Sequence, residues 1–226
     1  MIKGILFDFN GTLFYDSDKH IAAFQRFFEK RGLPIPTAED VARDTFGRTN
    51  RDIFGDYMPN ATQSELAAYG IEKEADYREA CLASPETFRL ARGVTEMFEL
   101  LCEKGIPFNI ATGSPIDNLE FYYEHFGLEK WIDKEKIVYH DGSLAGKPAP
   151  DFYIEAARRI GLSPSECIVF EDGKSGFISA KSAGAPVIYA LVPSDACLLD
   201  TAGVPIEREI PDFCDYESIL RRHGLI

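Results

Sequence analysis

Short apolar runs recur along the chain, separated by stretches whose apolar positions follow helical spacing. Ile5-Leu6-Phe7 closes a run that opens at Ile2, is broken by Lys3 and Gly4, and stops at Asp8. Asn10-Gly11-Thr12 then turns the chain. A short apolar run bounded by turn residues predicts a strand buried on both faces. Further strands are predicted at residues 106–111, 136–139, 165–170 and 186–191. Helices are predicted at 94–104, 115–126, 151–160, 175–183 and 218–222. Repeated alternation of strand and helix implies right-handed crossovers and a parallel sheet with helices on both faces.

The section between Asp16 and Pro85 reads differently, because no strand is predicted there. Ile21, Phe24, Phe27 and Phe28 recur at helical spacing over 19–30, with Asp16-Ser17-Asp18 ahead of them to cap the helix and Asp16 and Asp18 read as helix-start acids. Gly32, Pro34 and Pro36 end that helix. Thr37 and Asp40 fit a capping box that opens a second helix. A third is predicted at 51–57, and a longer one at 62–82, interrupted at Gly70. The expected fold is therefore an α/β, Rossmann-like, doubly wound parallel sheet core (residues 1–15 and 88–226) with an inserted helical cap domain (residues 16–87) joined by two connections that can hinge.

Composition narrows the class. The 226 residues are 45% hydrophobic and 27% charged, ordinary for a soluble globular protein. A net charge of -13 argues against nucleic acid or an anionic membrane as a partner, and requires a cation beside any anionic substrate. Cys81, Cys102, Cys167, Cys197 and Cys214 are scattered and form no CxxC pair, which predicts reduced, mostly buried thiols in a cytoplasmic protein. Neither a secretory signal nor a run of membrane-spanning length is seen. A monomer or weak homodimer is expected.

Candidate chemistry sits at the ends of the predicted strands and in the loops after them: Asp8, Thr112 with Ser114, Lys147, and Glu171 with Asp172. Ligands in open α/β sheets bind outside those strand ends. One acid there is unremarkable as a helix cap; four chemical groups in order are not. Asp8-Phe9-Asn10-Gly11-Thr12-Leu13, Ala111-Thr112-Gly113-Ser114, Gly146-Lys147-Pro148 and Phe170-Glu171-Asp172-Gly173 resemble, in order and spacing, the four motifs of the haloacid dehalogenase superfamily. The helical insert sits where the subgroup similar to β-phosphoglucomutase and phosphoglycolate phosphatase carries its cap.

The resemblance implies a phosphatase of a small phosphorylated metabolite. Asp8 is implied as the nucleophile that forms an aspartyl-phosphate. Asp8, Glu171, Asp172 and the main-chain carbonyl of Asn10 are implied as ligands of Mg²⁺, which takes hard oxygen donors. Lys147 is implied to pair with Asp8 and a phosphoryl oxygen. Thr112, Gly113 and Ser114, with main-chain amides of Gly11 and Thr12, are implied to bind the phosphoryl group. His20 and Asn50 are implied as substrate-binding cap residues, the latter in a loop, Gly47 to Ile53, that resembles the loop closing over the site. Trp131 and the run Phe121-Tyr122-Tyr123 read as packing.

The chain departs from the family pattern at Asn10, where a second Asp normally carries the proton for the leaving group. A carboxamide does not give up and retrieve a proton at neutral pH, and general acid–base catalysis is typically worth about 10²–10⁴-fold. Three explanations stay open: tuning to good leaving groups such as acyl or aryl phosphates, a substitute such as His20 or a bound water, or an engineered Asp→Asn change. Two other functions are carried alongside the phosphatase, a β-phosphoglucomutase-like isomerase and a low-turnover phospho-ligand-binding protein.

Overall fold

The computed structural model describes residues 1–45, 48–193 and 200–226. Gly47 of the expected cap loop and Cys197 lie outside the described residues. The chain divides into two compact units, Met1–Tyr15 with Leu90–Ile226, and Asp16–Arg89. It runs through β1 (Gly4–Phe7), then α1 (Ser17–Glu29), α2 (Ala38–Thr45), α3 (Asn50–Tyr57) and α4 (Gln63–Ala83) of the helical unit. It returns as α5 (Val94–Lys104), β2 (Phe108–Ile110), α6 (Ile116–His125), α7 (Asp151–Arg159) and β3 (Cys167–Glu171). The order closes with α8 (Lys174–Ala183), β4 (Val187–Leu191), β5 (Arg208–Ile210) and α9 (Tyr216–Arg222).

The α/β unit is a parallel sheet in the order β2-β1-β3-β4-β5. All of β1 is buried, and Leu6 pairs with Asn109 on one side and Val169 on the other. Successive side chains on a strand face opposite sides of the sheet. Leu6 and Val169 accordingly join a cluster with Phe152, Ala156, Ala157 and Ala180 from α7 and α8. Phe7 meets Phe170 in a stack at 5.3 Å, Phe98 of α5 at 5.4 Å and Phe213 at 6.0 Å. In this strand order the connections diverge on either side of β1, which opens a crevice at the carboxyl ends of β1 and β3.

Several elements differ from the sequence-based expectation. Residues 136–139 are not a strand: a 3₁₀ turn at Lys134–Lys136 leads into a single bridge, Ala111 to Val138. Ile137 and Val138 are buried, but His140 already bonds outward to the Ser114 carbonyl (3.0 Å), so the ladder does not extend. Strand β5 was not foreseen, because only Ile210 of its three residues is buried. The strand expected from residue 165 starts at Cys167, since Ser163 and Glu166 close a capped 3₁₀ turn. Among the described cysteines Cys81 and Cys167 are buried while Cys102 and Cys214 are exposed, so "mostly buried" overstates the set. Among the described residues no helix is long and apolar enough to cross a membrane.

The helical unit has an aromatic core. Phe24, Phe27 and Phe28 of α1 pack with Val41, Ile53, Phe54 and Leu66, and the Phe27 and Phe54 rings lie 4.5 Å apart. Thr49 caps α3 through the Asp52 amide, and Thr62 and Glu65 form a capping box at α4. Helix α4 is unbroken at Gly70, whose bare Cα lets the Asn50 side chain approach; an added Cβ would stand 3.3 Å from Asn50 Cβ. The inner face of α4 is charged in its middle. Lys73 is buried, donating to Glu74 Oε1 (2.9 Å), and its Nζ lies 2.8 Å from His20 Nδ1. An ammonium has no lone pair, so His20 Nδ1 must accept and Nε2 carries the hydrogen, 3.4 Å from Asp16 Oδ2. Asp16 was read as a helix-start acid, yet its side chain makes no cap bond and instead accepts from the buried Tyr77 hydroxyl (2.5 Å).

Glu74 also accepts from Asn50 Nδ2 (2.7 Å). Burial opposes its ionisation, but the Lys73 charge and the hydrogen bonds from Asn50 and Lys73 outweigh it and hold the carboxyl down at about 2. A carboxyl depressed on folding contributes stability that is complete above its unfolded value and is lost as pH falls through the folded one. Glu74→Gln is therefore expected to lower the melting temperature at pH 7, by up to about 3 kcal/mol of stability. The gap between variant and parent should close between about pH 4.5 and 2 in thermal melts; a gap independent of pH would contradict this reading.

Candidate active site

Strand β1 delivers Asp8 to the crevice. Its N–H bonds to the Phe170 carbonyl of β3 (3.0 Å), which sets the carboxylate beside the end of that strand. Lys147, from the Gly- and Pro-bearing loop before α7, donates to Asp8 Oδ1 (2.5 Å) and to Glu171 Oε1 (2.7 Å). The Tyr153 hydroxyl adds a second donor to Glu171 Oε1 (3.1 Å), and the Lys147 ammonium lies 4.8 Å from the Tyr153 ring centroid. Glu171 Oε2 accepts the main-chain N–H of Asp172 (2.8 Å) and of Gly173 (2.9 Å) at the start of α8. Glu171 thus has two donors on each oxygen.

The electrostatics follow from this packing. Burial pushes the Asp8 carboxyl up to about 7, against the pull of Lys147 and with a further push from Glu171. Burial disfavours the Lys147 ammonium, but Asp8 and Glu171 outweigh it and raise its pKa, so the ammonium is kept. Burial and the Glu171 charge raise the Tyr153 phenol well above its ordinary value, so it remains a donor. Asp8, Glu171 and Asp172 each bring a carboxylate oxygen within 4.8 Å of the others. Three carboxylates meeting at one point are the hard-oxygen donor set that a divalent cation such as Mg²⁺ takes, and the residues present fit such an ion.

Two glycines make the convergence possible. Gly11 has φ of +77°, and a Cβ there would collide with the Asp172 carboxylate. A Cβ on Gly176, in the first turns of α8, would occupy the place of the Glu171 carboxylate. Thr12 is buried and its hydroxyl donates to Asp172 Oδ1 (3.3 Å).

On the β2 side of the same turn the groups are neutral. Asn10 Oδ1 accepts from Ser114 Oγ (2.7 Å) and Thr112 Oγ1 (3.2 Å), and its Nδ2 donates to Tyr122 Oη (2.9 Å). The Thr112 and Ser114 hydroxyl protons, expected on phosphoryl oxygens, are directed to Asn10. The structure thus gathers Asp8, Asn10, Gly11, Thr12, Thr112, Gly113, Ser114, Lys147, Glu171 and Asp172 in the α/β unit. His20 and Asn50 lie in the helical unit, bonded there to Lys73 and Glu74.

Sequence reasoning missed Tyr122, Tyr153 and Gly176. Tyr122 read as packing, and its ring does stack on Phe9 at 4.6 Å, but its hydroxyl reaches Asn10. An aromatic in an apolar run carries no mark of the partner of its hydroxyl. The one signal for Tyr153 was its position on the helix that follows the Lys147 loop.

Comparison with known proteins supports one family. Residues 2–184 match the family model described as haloacid dehalogenase-like hydrolase. A phosphorylated carbohydrates phosphatase of Thermotoga maritima is 30% identical over 193 residues, covering 85% of this chain and 87% of its own. Validoxylamine A 7′-phosphate phosphatase of Streptomyces hygroscopicus subsp. limoneus is 28% identical over 206 residues, covering 90% and 92%. A family IA haloacid dehalogenase hydrolase of Entamoeba histolytica superposes with a TM-score of 0.83 at 33% identity, covering 94% of each chain.

Gly176→Ala is expected to destabilise the protein by about 1–3 kcal/mol in thermal melts, as overpacking of a filled site does. Gly55→Ala, with open space around it on α3, should be neutral or stabilising in the same melts. Equal melting temperatures for the two variants would contradict the close approach of α8 to Glu171.

Proposed function

Because the chain belongs to the haloacid dehalogenase-like hydrolases, we propose that it is a phosphatase of small phosphorylated metabolites working through an aspartyl-phosphate on Asp8. The observation that carries this reading is the buried contact of Lys147 with both Asp8 and Glu171 at the carboxyl ends of β1 and β3. A carboxylate attacking a phosphate brings two anions together, and a fixed ammonium at Asp8 is placed to offset the charge that develops. Asp8 attacks phosphorus and the bond to the leaving oxygen breaks. Water then attacks the phosphoryl group, releasing phosphate and restoring the carboxylate.

Asp8, Glu171, Asp172 and the main-chain carbonyl of Asn10 are the ligands proposed for Mg²⁺, which when bound supplies the charge neutralisation and phosphoryl orientation that this chemistry requires. Glu171 has a second task in this reading, bracing Lys147 through the bonds it makes to the ammonium and to the Asp172 and Gly173 amides just before α8. The N–H of Gly113 donates to a phosphoryl oxygen in this reading; the Gly11 and Thr12 N–H groups, expected to share that task, are instead spent within the turn on the Phe14 (2.7 Å) and Phe9 (3.2 Å) carbonyls. The helical unit is the cap that selects the substrate. The names of the relatives make phosphorylated carbohydrates the first compounds to assay.

Phosphate release should require Mg²⁺, stop with EDTA, and return on adding the ion. Asp8→Ala is expected to lower turnover by about 10³-fold or more, and Lys147→Met by about 10²–10³-fold. Acid-quenched enzyme should carry covalent phosphate in the parent and none in Asp8→Ala. Undiminished release by Asp8→Ala would overturn the mechanism.

A further inference from the structure

Asn10 is held on three sides. Ser114 and Thr112 give their hydroxyl protons to its carbonyl oxygen, and its amino group donates to Tyr122. Thr112 and Tyr122 are fully buried and Ser114 is nearly so. The Tyr122 ring is fixed by its stack on Phe9 (4.6 Å, 20°) and an edge contact with Phe14 at 6.2 Å. Thr112 Oγ1 also accepts the Ser114 N–H (3.1 Å), and Thr112 N–H bonds to the Val138 carbonyl (2.9 Å). Both residues that flank Gly113 are thereby tied down, while the Gly113 N–H makes no bond among the described residues. A carboxamide suits this place because one planar head both accepts and donates.

Among the described residues, the side chains packed on the Asp8 and Glu171 carboxylates direct their donors to those carboxylates: two of the three N–H bonds of the Lys147 ammonium, and the Tyr153 hydroxyl. We infer that Asn10 is a positioning residue that fixes the turn 112–114 through Tyr122, and that the site favours phosphates whose leaving group departs as a stable anion, acyl and aryl phosphates, over alkyl phosphate esters. This rests on the phosphatase reading and names its substrate class. In the first step Asp8 forms the new P–O bond while the electron pair of the breaking bond leaves on a carboxylate or phenolate oxygen. No proton is needed at that oxygen. In the second step water adds hydroxyl to phosphorus and its proton goes to the departing phosphate, giving free Asp8 carboxylate and H₂PO₄⁻.

The test is a leaving-group series on the full chain with Mg²⁺: substituted phenyl phosphates, an acyl phosphate and an alkyl phosphate, for the parent and for Tyr122→Phe. In the parent, kcat/KM should rise by about 10²-fold or more from the alkyl ester to the most acidic phenol, the span that an acid catalyst would otherwise level. Tyr122→Phe keeps the ring and removes one hydrogen bond, so it should lower kcat/KM by the same two- to tenfold, about the value of one bond, for every substrate. Its affinity for inorganic phosphate should fall by a similar factor. Ser114→Ala, checked for folding by circular dichroism, should behave in the same way.

A flat leaving-group series would overturn the inference, since some group would then be protonating the leaving oxygen. So would a Tyr122→Phe loss confined to alkyl esters, which would make Tyr122 the proton donor, or an unchanged phosphate affinity in both variants. Failure of the phosphatase reading looks different. No substrate would then turn over and no covalent phosphate would form, while the phosphate titration of Tyr122→Phe would still decide the positioning role.

Discussion

The site depends on one buried ammonium set between two buried carboxylates. Lys147 comes from a loop, Asp8 from the end of β1 and Glu171 from the end of β3, and the ammonium joins all three. A buried ion pair is weak evidence for stability, because desolvation offsets much of the attraction, and removing one partner leaves a charge stranded. Its value here is geometric. Glu171 can hold Lys147 because its other oxygen is tied to the Asp172 and Gly173 amides just before α8 and because Gly176 leaves room for it. Tyr153 completes the set from α7. A sheet, a loop and two helices are thus brought into register around a point where negative charge is concentrated.

The two sides of the β1 turn divide the labour. Toward β3 the groups are charged: Asp8, Lys147, Glu171 and Asp172. Toward β2 they are neutral: Asn10, Thr112, Ser114 and Tyr122. The division follows from the strand order, since β1 stands between β2 and β3 and its end faces both. The charged side gathers the carboxylates and the ammonium that the proposed phosphatase chemistry would use. The neutral side has the groups to hold a turn rigid, and an amide at position 10 does this without adding a further negative charge beside Asp8.

The helical unit shows the same economy of polar groups inside an apolar shell. Its phenylalanines form a core that would serve any small helical bundle. Within it Lys73, Glu74, Asn50, His20, Asp16 and Tyr77 make a connected set of bonds between α1, α3 and α4. Low local dielectric strengthens each of these bonds and raises the cost of breaking one. Asn50 and His20, the residues that the family resemblance suggested for substrate, are bonded into that set.

Much of this was legible in the sequence. The apolar run ending at Asp8 determined β1, because a strand buried on both faces has no other composition available to it. Caps and glycines determined most helix limits, as at α4 and α5, because those residues act on backbone groups within a few positions of themselves. The order of Asp8, Thr112, Lys147 and Glu171 along the chain determined the candidate site. Only the tertiary structure decided which way the hydroxyls point. Tyr122 read as packing and Tyr153 carried no reading until distant residues met them, and the Thr112 proton went to Asn10 because that acceptor lies across the turn. The failure of residues 136–139 to form a strand, and the formation of β5, were also decided by neighbours, since a ladder needs a partner of matching reach. What depends on bonds between near neighbours can be read along the chain; what depends on which distant group supplies the other half of a bond cannot.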